Sequence, residues 1–162
     1  MTVSRYLNSL EKCQADPNNG ETGIYQIHAS GLDGSTSSTS IEIHNTSADN
    51  NGVNGISKIF AYSQVGPSSI LLDNVSATEN SLTGINEITA IANEREAFIR
   101  LDNISAQSND SFGLGLVVSV GSYASIDLLN SDLTGNAVGG YLSLSANTPH
   151  GSGDVTVINV VE

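Results

Sequence analysis

The stretch at positions 99–103 reads Ile99-Arg100-Leu101-Asp102-Asn103, and the same pattern stands earlier in the chain as Ile70-Leu71-Leu72-Asp73-Asn74. It recurs as Ile41-Glu42-Ile43-His44-Asn45, Ile126-Asp127-Leu128-Leu129-Asn130 and Val155-Thr156-Val157-Ile158-Asn159. The starts at positions 41, 70, 99, 126 and 155 are separated by steps of 29, 29, 27 and 29. Gly55, Gly84, Gly113 and Gly140 each stand at a step of fourteen from one of the first four starts. Gly23 precedes Gly55 by the longer step of 32, and the Ser-rich segment Gly34 to Ser40 absorbs the excess. A near-constant period of this length is the signature of a repeat architecture.

Inside each repeat the period is two, which is the spacing of a strand. Apolar residues occupy the first and third positions: Ile41/Ile43, Ile70/Leu72, Ile99/Leu101, Ile126/Leu128 and Val155/Val157. A second strand follows each glycine. Its inward columns read Ile27, Ile59, Ile88, Val117, Leu144 and Ala29, Ala61, Ala90, Ser119, Ala146. Its outward columns are irregular, Gln26, Lys58, Glu87, Leu116, Ser143 and His28, Phe60, Thr89, Val118, Ser145. A short third strand is expected after each Asn, most clearly at Val75-Ser76-Ala77 and Ile104-Ser105-Ala106. Three short strands per repeat, with like residues stacking on like, predict an all-β fold. It is a right-handed parallel β-helix of about five coils, roughly 24 Å tall at the strand spacing. No single coil buries its apolar face alone, so the stack is the folding unit.

Asn45, Asn74, Asn103, Asn130 and Asn159 hold one register without exception. Asn tolerates the left-handed backbone of a sharp corner, and stacked amides bond along an axis. A structural ladder of inward-pointing amides is therefore expected. The other reading is glycosylation, because Asn45-Thr46-Ser47, Asn74-Val75-Ser76 and Asn103-Ile104-Ser105 all fit the acceptor tripeptide. Inward amides exclude a glycan, which makes Asn109-Asp110-Ser111, placed in a loop, the better acceptor.

Composition narrows the functional classes. The 162 residues carry 5 Lys+Arg against 17 Asp+Glu, a formal charge of −12. That sign disfavours nucleic acid and anionic membrane surfaces. No apolar run approaches the ~20 residues of a membrane span. The one Cys rules out an intrachain disulfide or a cysteine metal cluster.

The string Asn130 to Ser145 (NSDLTGNAVGGYLSLS), followed by Gly151 to Val157 (GSGDVTV), resembles the right-handed β-helix repeats of large secreted surface proteins, the filamentous-haemagglutinin-type and autotransporter-like adhesins. The copies DNVSATENSLTG, from Asp73, and DNISAQSNDSFG, from Asp102, fit the same repeat. The likeness covers residues 23–162 and is specific for the fold. Such coils serve adhesins, lyases, hydrolases and phage spikes alike. It implies an extracellular or cell-surface setting.

The ends depart from the repeat. Residues 1–22 read as an N-terminal cap or a degenerate first coil. Val3, Tyr6, Leu7 and Leu10 have helix-like spacings. The competing alignment makes Ser9 to Cys13 the degenerate coil, with Cys13 in the Asn column. No positive start precedes an apolar run, so a secretory signal is not expected. The segment Val155 to Glu162 reads as an incomplete last coil, whose open edge favours end-to-end association or a longer solenoid.

Candidate chemistry is sparse. Asp73 and Asp102 would be neighbours on adjacent coils. They are the candidate pair for a Ca²⁺ ion, the one cofactor considered, or for a polysaccharide lyase or hydrolase; the other reading is a solvated face, with Arg100 on the same face as the neutraliser. Phe60 and Tyr62, with His28 one coil below Phe60, form a candidate glycan-binding patch; the other reading is a cover for the core by a loop. The three His are scattered, with no pair at metal-ligand spacing. The resulting expectation is a non-enzymatic structural or adhesive module, a stiff rod that binds glycans or stacks end to end. The alternatives are a polysaccharide-processing domain and a virion spike subunit.

Overall fold

A computed structural model describes residues 2–4, 10–11, 20–31 and 38–162. The chain is a parallel β-solenoid whose coils repeat at a sequence spacing of about 29. In chain order the strands are β1 (Thr2–Ser4), β2 (Leu10–Glu11), β3 (Ile24–Gly31), β4 (Thr39–Ser47), β5 (Ile56–Ser63), β6 (Ser68–Ser76), β7 (Ile85–Ala92), β8 (Ala97–Ser105), β9 (Phe112–Val120), β10 (Ala124–Leu129), β11 (Gly139–Thr148), β12 (Gly151–Ser152) and β13 (Asp154–Ile158). One sheet runs β1-β3-β5-β7-β9-β11-β12 and the other β13-β10-β8-β6-β4-β2. The pairs β3/β4 to β9/β10 make four successive turns, with partial coils on either side.

The register is the one the repeat dictates. Ile41, Ile70, Ile99 and Ile126 stack in a column, and Ile43, Leu72, Leu101 and Leu128 in the next. All eight are at most 1% exposed. Burying such side chains contributes roughly 1.5–3 kcal/mol each. Across the interior lie Ile27, Ile59, Ile88 and Val117, with Ala29, Ala61, Ala90 and Ser119 beside them, all buried. The small column lets the two sheets approach, and the Ser119 hydroxyl is satisfied by the Ala97 carbonyl at 2.9 Å. The last coil differs: Val155 and Val157 are 44% and 43% exposed, although they pair with buried Ile126 and Leu128.

The expected third strand is present as a continuation. Strands β4, β6 and β8 bend at Asn45, Asn74 and Asn103, where φ is 50°, 55° and 54°, and then resume pairing. Beyond them Ala48, Ala77 and Ala106 donate to the carbonyls of Ser76, Ser105 and Asp132 on the next coil. A second corner follows at Asn50, Glu79, Ser108 and Gly135, with φ between 54° and 71°.

The N-terminal strands correct the expected helix. Thr2–Ser4 is a strand paired to β3, with Val3 opposite Ile27. Leu10 lies opposite Ile43, one residue out of the register that would put Cys13 in the Asn column. Sheet pairing overrides the helix-like spacing, because an open sheet edge offers every backbone group a partner. Tyr6, Leu7 and Cys13 lie outside the described residues. At the other end β12 folds back antiparallel on β11, through Asn147↔Ser152 and Thr148↔Gly151.

Candidate functional site

The expected Asn ladder is relocated. Asn45, Asn74, Asn103, Asn130 and Asn159 are exposed, so they are not inward amides, and burial does not exclude a glycan from them. The corner explains their register, since φ > 0 is cheap for Asn and costs most other residues about 1–2 kcal/mol. Their amides link the coils unevenly. Asn74 donates to Asn45 Oδ1 at 2.7 Å and Asn159 to Asn130 Oδ1 at 3.0 Å. Asn103 and Asn130 turn instead to Asp73 Oδ1 and Asp102 Oδ1, at 3.2 and 2.9 Å.

The continuous ladder lies a step of six further on, in Asn51, Asn80, Asn109 and Asn136. Asn80 Oδ1 accepts from the Asn51 backbone N–H at 3.0 Å and its Nδ2 at 2.8 Å. Asn109 Oδ1 takes the same pair from Asn80, both at 3.0 Å, and Asn136 Oδ1 the same pair from Asn109, both at 2.9 Å. Asn51, Asn80 and Asn109 are at most 2% exposed. Asn109, the expected loop acceptor for a glycan, is thus a buried rung. The glycine column makes room for this ladder. A Cβ on Gly84 would lie 2.6 Å from the Ala77 carbonyl, 2.7 Å from that of Gly113 and 3.0 Å from Asn109 Nδ2. The repeat hid the ladder because Asn54, Asn86, Asn93 and others stand nearby out of register; the clue was the fixed step of four from each ladder Asn to the glycine after it.

A carboxylate ties the β4 and β6 coils on the same side. Asp49 accepts from Ser76 Oγ and the Thr78 N–H, both at 2.7 Å, from Thr78 Oγ1 at 3.1 Å and from Ser47 Oγ. Burial pushes its pKa up, but the donors at Ser47, Thr78 and Ser76 outweigh that and hold it below the ordinary carboxylate value.

Asp73 and Asp102 are adjacent partners on β6 and β8, as expected. With His44, Leu71 and Arg100 they line a recess of about 330 Å³. Arg100 Nη2 donates to Asp102 Oδ2 at 2.9 Å, which makes Arg100 the neutralising partner. That bond first, and the Asn130 bond second, hold the Asp102 carboxyl below the usual range. An acid held ionised is a poor proton donor to a leaving group. Asp73 Oδ2 faces His44 Nδ1 at 3.6 Å, and His44 Nε2 lies 3.9 Å from Glu42. Among the described residues no group of three or more His, Cys, Asp or Glu side chains is placed to hold a metal ion.

Phe60, Tyr62 and His28 are also brought together. His28 and Phe60 meet edge to face with centroids 5.2 Å apart. Lys58 Nζ lies 5.4 Å from the Phe60 centroid while paired with Glu87 at 2.8 Å. Tyr62 accepts from Asn93 Nδ2 at 2.9 Å. These rings are half-buried. No described helix is long and apolar enough to cross a membrane.

No family model, curated protein or solved structure matches the chain. The likeness to secreted β-helix adhesins therefore rests on the repeat alone.

Proposed function

We propose that the chain is a non-enzymatic structural and adhesive module, a rigid solenoid segment of an extracellular or cell-surface protein of the filamentous-haemagglutinin and autotransporter-like kind. One observation carries the reading: most side-chain hydrogen bonds of the described residues run along the axis to the next coil. The buried Asn column, the Asp49 cluster and the Asp73 and Asp102 carboxylates all bond from coil to coil. Such cross-coil bonding stiffens a stack whose individual coils are not stable alone. The exposed Val155 and Val157 rung offers a further coil the same apolar columns used at every inner junction.

Negative-stain electron microscopy of the purified chain at two concentrations tests this reading. Concentration-dependent filaments or end-to-end multimers support it. Release of reducing or unsaturated ends from polysaccharides, abolished in Asp73→Asn, would replace it with the polysaccharide-processing alternative.

A further inference from the structure

The outer surface carries a notch across the rungs β7, β9 and β11. It has a volume of about 410 Å³ and is lined by Thr83, Asn86, Glu87, Ser111, Phe112, Gly115, Leu116 and Leu142. At its edge two coils are in close contact, since a Cβ on Gly115 would lie 2.2 Å from the Asn86 carbonyl. Gly139, paired with Phe112 in the register, leaves that ring without a covering side chain. Leu116 and Leu142 are 40% and 60% exposed and extend the apolar wall. Polar groups stand beside the apolar ones, with Glu87 paired to Leu116 in the register. The Asn86 amide makes no hydrogen bond to another described side chain. Glu87 uses Oε1 for Lys58 and Thr89, which leaves Oε2 directed to neither.

We propose that this notch is a binding site for a neutral saccharide unit, so that adhesion acts here and not at Phe60. The inference rests on the adhesive reading above and adds its site. A sugar ring has one apolar face and a rim of hydroxyls. An aromatic ring and leucines set beside an amide, a carboxylate and two hydroxyls complement both. The volume lies within the ~300–1,000 Å³ of small-ligand sites. Glu87 and the chain's net charge of −12 select against acidic sugars.

The test is a ¹H–¹⁵N titration with maltotetraose, cellotetraose and chitotetraose, with tetragalacturonate as the acidic comparator. A neutral tetrasaccharide is expected to shift the Asn86 side-chain amide and the Gly115 and Leu116 backbone amides. Asn86→Ala and Gly139→Leu should each weaken that binding by about tenfold, with Phe60→Ala unchanged. Gly139 has a permissive backbone and only ordinary contacts at 3.7 Å, so the filling variant keeps its fold, which circular dichroism verifies. Stronger binding of tetragalacturonate overturns the proposal. Shifts centred on Phe60 and Tyr62 overturn the notch and leave the adhesive role standing. Shifts nowhere with any of the four overturn both.

Discussion

Replacing Asn80 by Ala removes three bonds at once. Asn80 Oδ1 is the partner of the Asn51 backbone N–H and of Asn51 Nδ2, and Asn80 Nδ2 donates to Asn109 Oδ1. Asn51 Nδ2 keeps the Asp49 carbonyl at 3.2 Å, and Asn109 Oδ1 keeps the Asn80 backbone N–H. The Asn51 N–H keeps nothing. An orphaned buried donor costs about 1–3 kcal/mol, and a lost net hydrogen bond about 1 kcal/mol more. The expected destabilisation is about 3 kcal/mol. Asn103→Gly is the matched control. It retains the φ of 54° and loses one exposed bond to Asp73, so its cost is about 1 kcal/mol, largely the extra chain entropy of Gly. Urea unfolding followed by far-ultraviolet circular dichroism reads both, with unchanged m-values required before midpoints are compared. An Asn80→Ala variant within about 0.5 kcal/mol of wild type, or an Asn103→Gly variant as costly as Asn80→Ala, refutes the division of labour between the two columns.

Four further outcomes follow from the same geometry. Asn80→Asp places a carboxylate against Asn109 Oδ1; its folded pKa is raised, so the variant is least impaired below pH ~4 and loses stability as pH rises above it, measured by thermal melts across pH. Asp49→Asn should act in the opposite sense. The folded pKa of Asp49 is depressed, so its contribution is complete above about pH 4 and lost as pH falls through the folded value; the variant should cost about 1 kcal/mol at neutral pH and flatten the acid limb of the same melts. Gly84→Ala forces a methyl within 2.7 Å of two carbonyl oxygens and should cost at least the roughly 1–3 kcal/mol of overpacking, read by urea midpoint. Asp73→Asn should change neither the melting temperature by more than a few degrees nor any polysaccharide-degrading reading, since Oδ1 still accepts from Asn103.

The β-solenoid was legible because stacking imposes identity on every coil. Ile70 over Ile99 and Leu72 over Leu101 satisfy one geometric demand repeatedly, and the sequence repeats with it. The first corner was legible for the same reason, since Asn serves a positive φ better than its alternatives. The second corner was not, because Asn50, Glu79, Ser108 and Gly135 meet the same φ with four residue types. The direction of the Asn45 column was misread: a corner fixes the backbone and lets the side chain leave the core. The Asp73 and Asp102 pairing was readable from register, whereas the Arg100 bond to Asp102 depends on a rotamer. The notch at Gly115 was unreadable because its lining comes from irregular outward positions, where no period operates.

The most direct test of the account is hydrogen exchange at the asparagine side-chain amides, followed by nuclear magnetic resonance. In a stack locked by a buried amide column, the Asn80 and Asn109 side-chain protons exchange as slowly as the core backbone amides, and those of Asn74 and Asn103 exchange promptly. Prompt exchange at Asn80 and Asn109 would contradict it.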